Sequence, residues 1–285
     1  MSPMLWLAAQ SVALSQPLVV AHRGLSPGMP ENTIAAFRRA IDMGVYAIEL
    51  DLRATADGQP VVMHDATVDR TTNGSGAVSG MTLSQIEALD AGSKSAPAFA
   101  GERVPSFADV LSLVAPSRTR LLVDIKTSRN MQLADVLRMI REHGMTDRVI
   151  IGVRTLDDLR RVKAIEPHVT AIALIPTPIS IDAFADAGAD IIRLWSDWIA
   201  ADQGAAASGL MAKVRARGKP LWIMATRSVP SGSDRLHAFH LRLACEPVDA
   251  IATDHVDILL AIERDRSAGK LSCPADGGGG VAAAR

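Results

Sequence analysis

Cysteine, charge of one sign and long apolar runs are all scarce in this sequence, and each scarcity excludes something. Only Cys245 and Cys273 occur in 285 residues, and the second stands beside a Pro/Gly tail, so no disulfide framework is implied. A formal net charge of -1 excludes the overall basic footprint of a nucleic-acid binder or of a protein held on an anionic membrane. Any anion must therefore be bound locally. No run approaches the roughly 18 apolar residues of a membrane span, so no transmembrane segment is expected. What is present, 48% hydrophobic and 21% charged positions, suffices for one sizeable core.

The two ends read differently from the middle. Leu5 to Leu14 is weakly apolar and Ala13-Leu14-Ser15 offers a small-residue cleavage site, yet no Lys or Arg precedes it. This segment reads as a poor signal peptide or as a short lead-in, which leaves cytoplasmic and exported locations both open. Residues 276–285 are low-complexity and are expected to be disordered. Residues 1–275 are expected to form a single domain.

Between the ends, short β-branched runs alternate with helical patterns. Strand-like runs are Leu18–His22, Ala47–Leu52, Leu121–Ile125, Val149–Val153, Val169–Ile175, Asp190–Trp195, Pro220–Met224 and Asp249–Thr253. The first is followed by Pro30-Glu31-Asn32 opening a helix, with Asn32 as its cap, Ile34, Phe37 and Ile41 on one face and Gly44 as its stop. Later helical patterns include Leu133–His143, the capping-box spacing at Thr155–Asp158, and Val256–Arg266. Eight such βα units in roughly 250 residues predict an α/β fold, a (β/α)8 TIM barrel.

One run breaks the cycle. Pro60–His64 follows the second strand across Ala56-Asp57-Gly58, far too few residues for a parallel crossover, so it is expected to return antiparallel as a hairpin. His64 would then come back over the barrel mouth near Glu49 and Asp51. The Thr-, Ser- and Gly-rich stretch from about 59 to 104 reads as an inserted cap after the second strand.

Barrel enzymes work at the C-terminal ends of their strands. His22 and Arg23 end the first strand, Glu49 and Asp51 lie late in the second, and Asp124 and Lys126 end the third. Alternation puts Glu49 and Asp51 on one side of their strand, and Asp124 and Lys126 on one side of theirs. Two imidazoles, clustered carboxylates and adjacent cations are the groups needed for metal-assisted cleavage of a phosphodiester. His143, His168, His237, His240 and His255 read as structural or surface histidines, and Asp254 as a residue that orients or closes the rim. Trp195, Trp198 and Trp222 are candidates for an apolar wall.

The ordered series His22-Arg23-Gly24, Pro30-Glu31-Asn32-Thr33, Glu49-x-Asp51, Thr55-x-Asp57-Gly58, Val62-x-His64-Asp65, Arg70-Thr71-Thr72 and Leu89-Asp90-Ala91-Gly92 resembles the glycerophosphodiester phosphodiesterase family. The match is dense from Val19 to Gly92 and continues through Asp124-x-Lys126 and Thr253-Asp254. The resemblance implies metal-dependent hydrolysis of glycerophosphodiesters to sn-glycerol 3-phosphate and an alcohol. It implies His22 and His64 as the acid/base pair and Glu49, Asp51 and Asp124 as ligands of one divalent cation, Ca²⁺ or Mg²⁺. Arg23 and Lys126 become phosphate contacts, with Trp222 as a further substrate contact. Three departures stand out: Asp124-x-Lys126 where the family has Glu-x-Lys, Trp222-Ile-Met-Ala225 for a Trp-Thr-Val-Asn type sequence, and Val153-Arg154 for a Ser-Phe pair. The alternative readings are a related barrel phosphodiesterase acting on lysophospholipid or sphingolipid, and a non-catalytic phosphodiester-binding barrel. The expected partner is a small-molecule diester, with monomer and homodimer both open.

Overall fold

Period-two alternation between two apolar faces sets the architecture. In the second parallel strand, Ile48, Leu50 and Leu52 face outward into the larger core, whereas Ala47 points inward with Glu49 and Asp51 above it. A computed structural model describes residues 16–25, 27–126, 132–200 and 204–273; the leader-like segment and the C-terminal tail lie outside these residues.

The parallel strands are β1 (Leu18–Ala21), β2 (Ala47–Ala54), β4 (Arg120–Ile125), β5 (Val149–Val153), β6 (Thr170–Ala173), β7 (Ile191–Trp195), β8 (Leu221–Ala225) and β9 (Ala250–Thr253). They are hydrogen-bonded in that order, and β1 pairs with both β9 and β2, which closes an eight-stranded parallel barrel. The outer helices are α1 (Ile34–Asp42), α3 (Phe107–Val114), α4 (Leu133–Glu142), α5 (Leu156–Ile165), α6 (Ile181–Asp186), α7 (Ser196–Ala200), α8 (Gly204–Ala216), α9 (Ser233–Ala244) and α10 (Val256–Ser267). The TIM barrel is thus the fold of this chain.

β3 (Pro60–Val62) runs antiparallel to β2, with Arg53 opposite Val61. Asp57 and Gly58 lie in its turn, and Gly58 has a φ of +76°, where a side chain would be strained. Between β3 and α3 the chain forms only short elements, including α2 (Leu83–Glu87) under a Thr82–Gln85 capping box. This segment has its own small core of Val61, Met63, Val68, Val78, Ile86, Ala91 and Val104. It is tied back where Val62 N–H donates to the carbonyl of Pro105.

Two local expectations are corrected. The cap of α1 is Thr33, whose side chain accepts from Ala36 N–H, and not Asn32, which sits one residue earlier with a φ of +58°. Cys245 and Cys273 are joined as a disulfide with Cα atoms 5.6 Å apart. Composition did not suggest this pairing, because the two cysteines meet only once α10 has packed on α9.

Candidate active site

A cavity of about 230 Å³ opens at the C-terminal ends of the barrel strands. His22, Arg23, Glu49, Asp51, His64, Asp124 and Lys126 all line it. Trp222 does not. It is buried in the barrel interior, edge-on to Tyr46 at 6.1 Å, and Met224, two residues further along β8, reaches the cavity instead.

The acidic cluster follows from register. Asp51 pairs with Asp124 across β2 and β4, and Glu49 with Leu122, so three inward carboxylates come together on neighbouring strands. One oxygen from each of Glu49, Asp51 and Asp124 lies within 4.8 Å of the others. Gly152 is the partner of Asp124 on β5, and a Cβ there would stand 2.8 Å from Leu174, so the missing side chain keeps the floor open.

Charges this close and this dry need compensation. Lys126 Nζ lies 2.7 Å from Asp51 and 2.6 Å from Asp124, and Arg154 also pairs with Asp124. Asn32 donates to Asp51 at 3.0 Å, and Arg23 N–H donates to Glu49 at 3.1 Å. Burial favours the neutral form of Asp51, but Lys126 and Arg23 outweigh it and hold its pKa below the usual range. Glu49 goes the other way: burial, then the charge of Asp51, push it up to about 7. Asp124 Oδ1 is buried without a hydrogen-bond partner among the described residues. A raised carboxyl, an orphaned oxygen and an all-oxygen donor set fit a hard divalent cation, which would replace the proton on Glu49 and satisfy Asp124.

The turn that brings Arg23 and Asn32 to these carboxylates is strained. Arg23 and Asn32 are non-glycine residues at φ of +53° and +58°, and Asn32 N–H donates to the carbonyl of Arg23 at 2.9 Å. Gly24, at φ +95°, has no Cβ to collide with Ala36 on α1, which would lie 2.7 Å away. His-Arg-Gly is therefore a turn that seats one backbone N–H and one side chain against the carboxylates.

Each histidine is oriented by a carboxylate. His22 Nδ1 lies 2.6 Å from Asp254 Oδ1, and its Nε2 faces Glu49 at 3.8 Å. Burial disfavours the charged imidazole, but Glu49 and Asp254 overcome this and raise its pKa. His64 Nδ1 lies 2.7 Å from Asp65, which Arg70 holds at 2.6 Å. Arg70 also pairs with Glu31 at 2.7 Å, and Glu31 with Arg23 at 3.0 Å. This chain of ion pairs couples the inserted segment to the barrel mouth.

On the opposite wall, sequence reading offered Trp195 and marked Arg154 as a departure but missed Arg193 and Arg227. Arg154, Arg193, Trp195 and Arg227 line the cavity from the strands β5 to β8 and the turn after β8. Arg193 was legible in principle, since it shares its strand face with Ile191 and Trp195.

Comparison with known proteins agrees with this geometry. The chain is 45% identical over 154 residues to a glycerophosphodiester phosphodiesterase of Caldanaerobacter subterraneus subsp. tengcongensis, covering 53% of this chain and 63% of that one. It is 31% identical over 194 residues to the Bacillus subtilis enzyme of the same name, covering 63% and 66%. These matches thus span somewhat under two thirds of the relatives' length. A crystal structure of a glycerophosphodiester phosphodiesterase from Agrobacterium tumefaciens superposes with a TM-score of 0.72 at 29% identity, covering 86% of this chain and 99% of that one. The model of the glycerophosphoryl diester phosphodiesterase family matches residues 22–180, more than half of the sequence, and the chain belongs to that family.

Proposed function

We propose that this protein hydrolyses glycerophosphodiesters to sn-glycerol 3-phosphate and an alcohol, using one divalent cation, Ca²⁺ or Mg²⁺. The observation that carries this reading is a pair of carboxylate-oriented histidines lining one cavity with a three-carboxylate cluster.

Phosphodiester hydrolysis needs charge neutralised on the phosphoryl oxygens, a nucleophile relieved of a proton, and a proton for the departing alkoxide. Bound by Glu49, Asp51 and Asp124, a divalent cation supplies Lewis-acid polarisation of the phosphoryl group. Arg23, whose Nε lies 3.3 Å from Asp51, and Lys126, 2.7 Å from Asp51 and 2.6 Å from Asp124, would meet phosphate oxygens from beside these carboxylates. Donation of Nδ1–H to Asp254 and to Asp65 leaves the Nε2 atoms of His22 and His64 as the proton-transferring atoms. One histidine removes the proton of the attacking hydroxyl or water, and the other protonates the leaving alcohol. A glycerol 2-hydroxyl is a candidate first nucleophile; it would give a cyclic phosphate that water then opens.

The test is release of sn-glycerol 3-phosphate from glycerophosphocholine and from glycerophosphoglycerol by protein stripped with EDTA and resupplied with Mg²⁺ or Ca²⁺. Metal-dependent release supports the reading. No release from either diester by folded, metal-binding protein overturns it.

A further inference from the structure

The cavity divides into two halves. Strands β9, β1, β2 and β4 carry the histidine and carboxylate chemistry. The half from β5 to β8 carries cations that this chemistry does not use. Arg193 rises from the interior face of β7 and is only 3% exposed, yet its Nε and Nη1 are buried without a hydrogen-bond partner among the described residues. Its guanidinium carbon lies 3.9 Å from the centroid of Trp195, and that of Arg227 lies 3.5 Å from the same centroid. Two cations cannot share one ring face at those distances, so they clasp Trp195 from opposite sides. Arg154 stands on the neighbouring wall, paired with Asp124.

Such an arrangement is costly without an anion. A buried guanidinium wants its planar fork of donors filled. Burial, and then the nearby charge of Arg154 and of Arg227, lowers the pKa of Arg193 to about 9, even with Asp124 and Glu49 opposing. Charge counting around the cavity points the same way. A divalent cation with Arg23 and Lys126 offsets Glu49, Asp51 and Asp124 and leaves one positive charge, which a monoanionic diester neutralises. Arg154 is spent on Asp124, whereas Arg193 and Arg227 have no carboxylate partner among the described residues and exceed that need. A choline-type substituent would meet this wall with like charge.

We infer that the β5–β8 half is an anion subsite, and that the preferred substrates are glycerophosphodiesters whose second alcohol carries a further phosphate. This rests on the hydrolase reading for the reaction but not for the binding. Arg193 at the floor would grip the second phosphate, with Trp195 holding its guanidinium plane in place, while Arg227 on the other face of the ring adds positive charge at the rim.

The experiment compares bis(glycerophospho)glycerol with glycerophosphoglycerol, which differ by one phosphodiester arm, and with glycerophosphocholine, in metal-loaded protein. Expected is a kcat/KM about tenfold or more higher for the two-phosphate substrate than for either other, beyond the statistical factor of having two scissile bonds. Arg227→Gln, an exposed change that leaves the core intact, and Arg193→Met should each shrink that ratio, chiefly through KM. Equal kcat/KM for the three diesters, or a ratio unmoved in folded Arg227→Gln, overturns the subsite while leaving the hydrolase reading in place. Should no diester be turned over, calorimetric titration with the same three compounds decides: tighter binding of the two-phosphate diester, weakened in Arg227→Gln, sustains the subsite, and equal binding removes it.

Discussion

Single residues here act through what they are paired with. Replacing His22 or His64 by Ala removes a proposed proton-transfer group, and kcat should fall roughly 10²–10⁴-fold, with the thermal melt little changed because both side chains line a cavity. Steady-state kinetics with circular-dichroism melts checks this; full activity in either variant would remove that histidine from the mechanism. Glu49 yields a pH prediction. Its carboxyl is raised to about 7, so below that pH a cation must displace a proton to bind. Metal affinity should therefore fall as pH drops from 8.5 to 5.5, proton release should be measurable in buffers of different ionisation enthalpy, and Glu49→Gln should both weaken binding and flatten the dependence. Most of these residues were readable, because strand ends and alternation are properties of the local chain. Asn32 was misread as a helix cap because Asn favours caps, and only the left-handed turn into Arg23 shows that its amide serves Asp51.

At the scale of elements, caps and burial decide the margins. Ser106 and Asp109 close a capping box at the start of α3, where the chain re-enters the barrel after the inserted segment. Ser106→Ala should cost about 1 kcal/mol in urea unfolding, with activity retained. On α10, burial raises Glu263 to about 7, with Arg266 opposing, and its Oε1 lacks a hydrogen-bond partner among the described residues. The sign follows: a carboxyl whose folded pKa exceeds its unfolded one gives stability present below about 4.5 and lost as pH rises through about 7. Glu263→Gln should thus raise Tm at pH 8 and change it little at pH 5, and the opposite trend in scanning calorimetry would show that the carboxylate is stabilised when charged. The hairpin of β2 and β3 was legible, since the five residues between them are far too few for a parallel crossover.

The whole molecule adds what no element contains. The Cys245–Cys273 bond staples the end of α9 to the chain beyond α10, across a sequence separation of 28. In the chain-entropy view a loop of that size is worth roughly 3–4 kcal/mol, so Cys245→Ser, or added reductant, should lower Tm. An unchanged melt in reductant would show that the bond adds no stability. The order of the barrel strands, the inward carboxylates and the returning histidine were set by periodicity, turn length and residue type, which act over neighbours in sequence, and the sequence determined them by itself. Tertiary structure alone decided the rest. Barrel closure lays Asp254, just past β9, against His22, just past β1, and gathers Arg154 past β5, Arg193 on β7 and Arg227 past β8 into one wall, while the packing of α10 on α9 joins two cysteines. Closure sums contacts between residues far apart in the chain, and no local pattern encodes which distant charges will share a cavity.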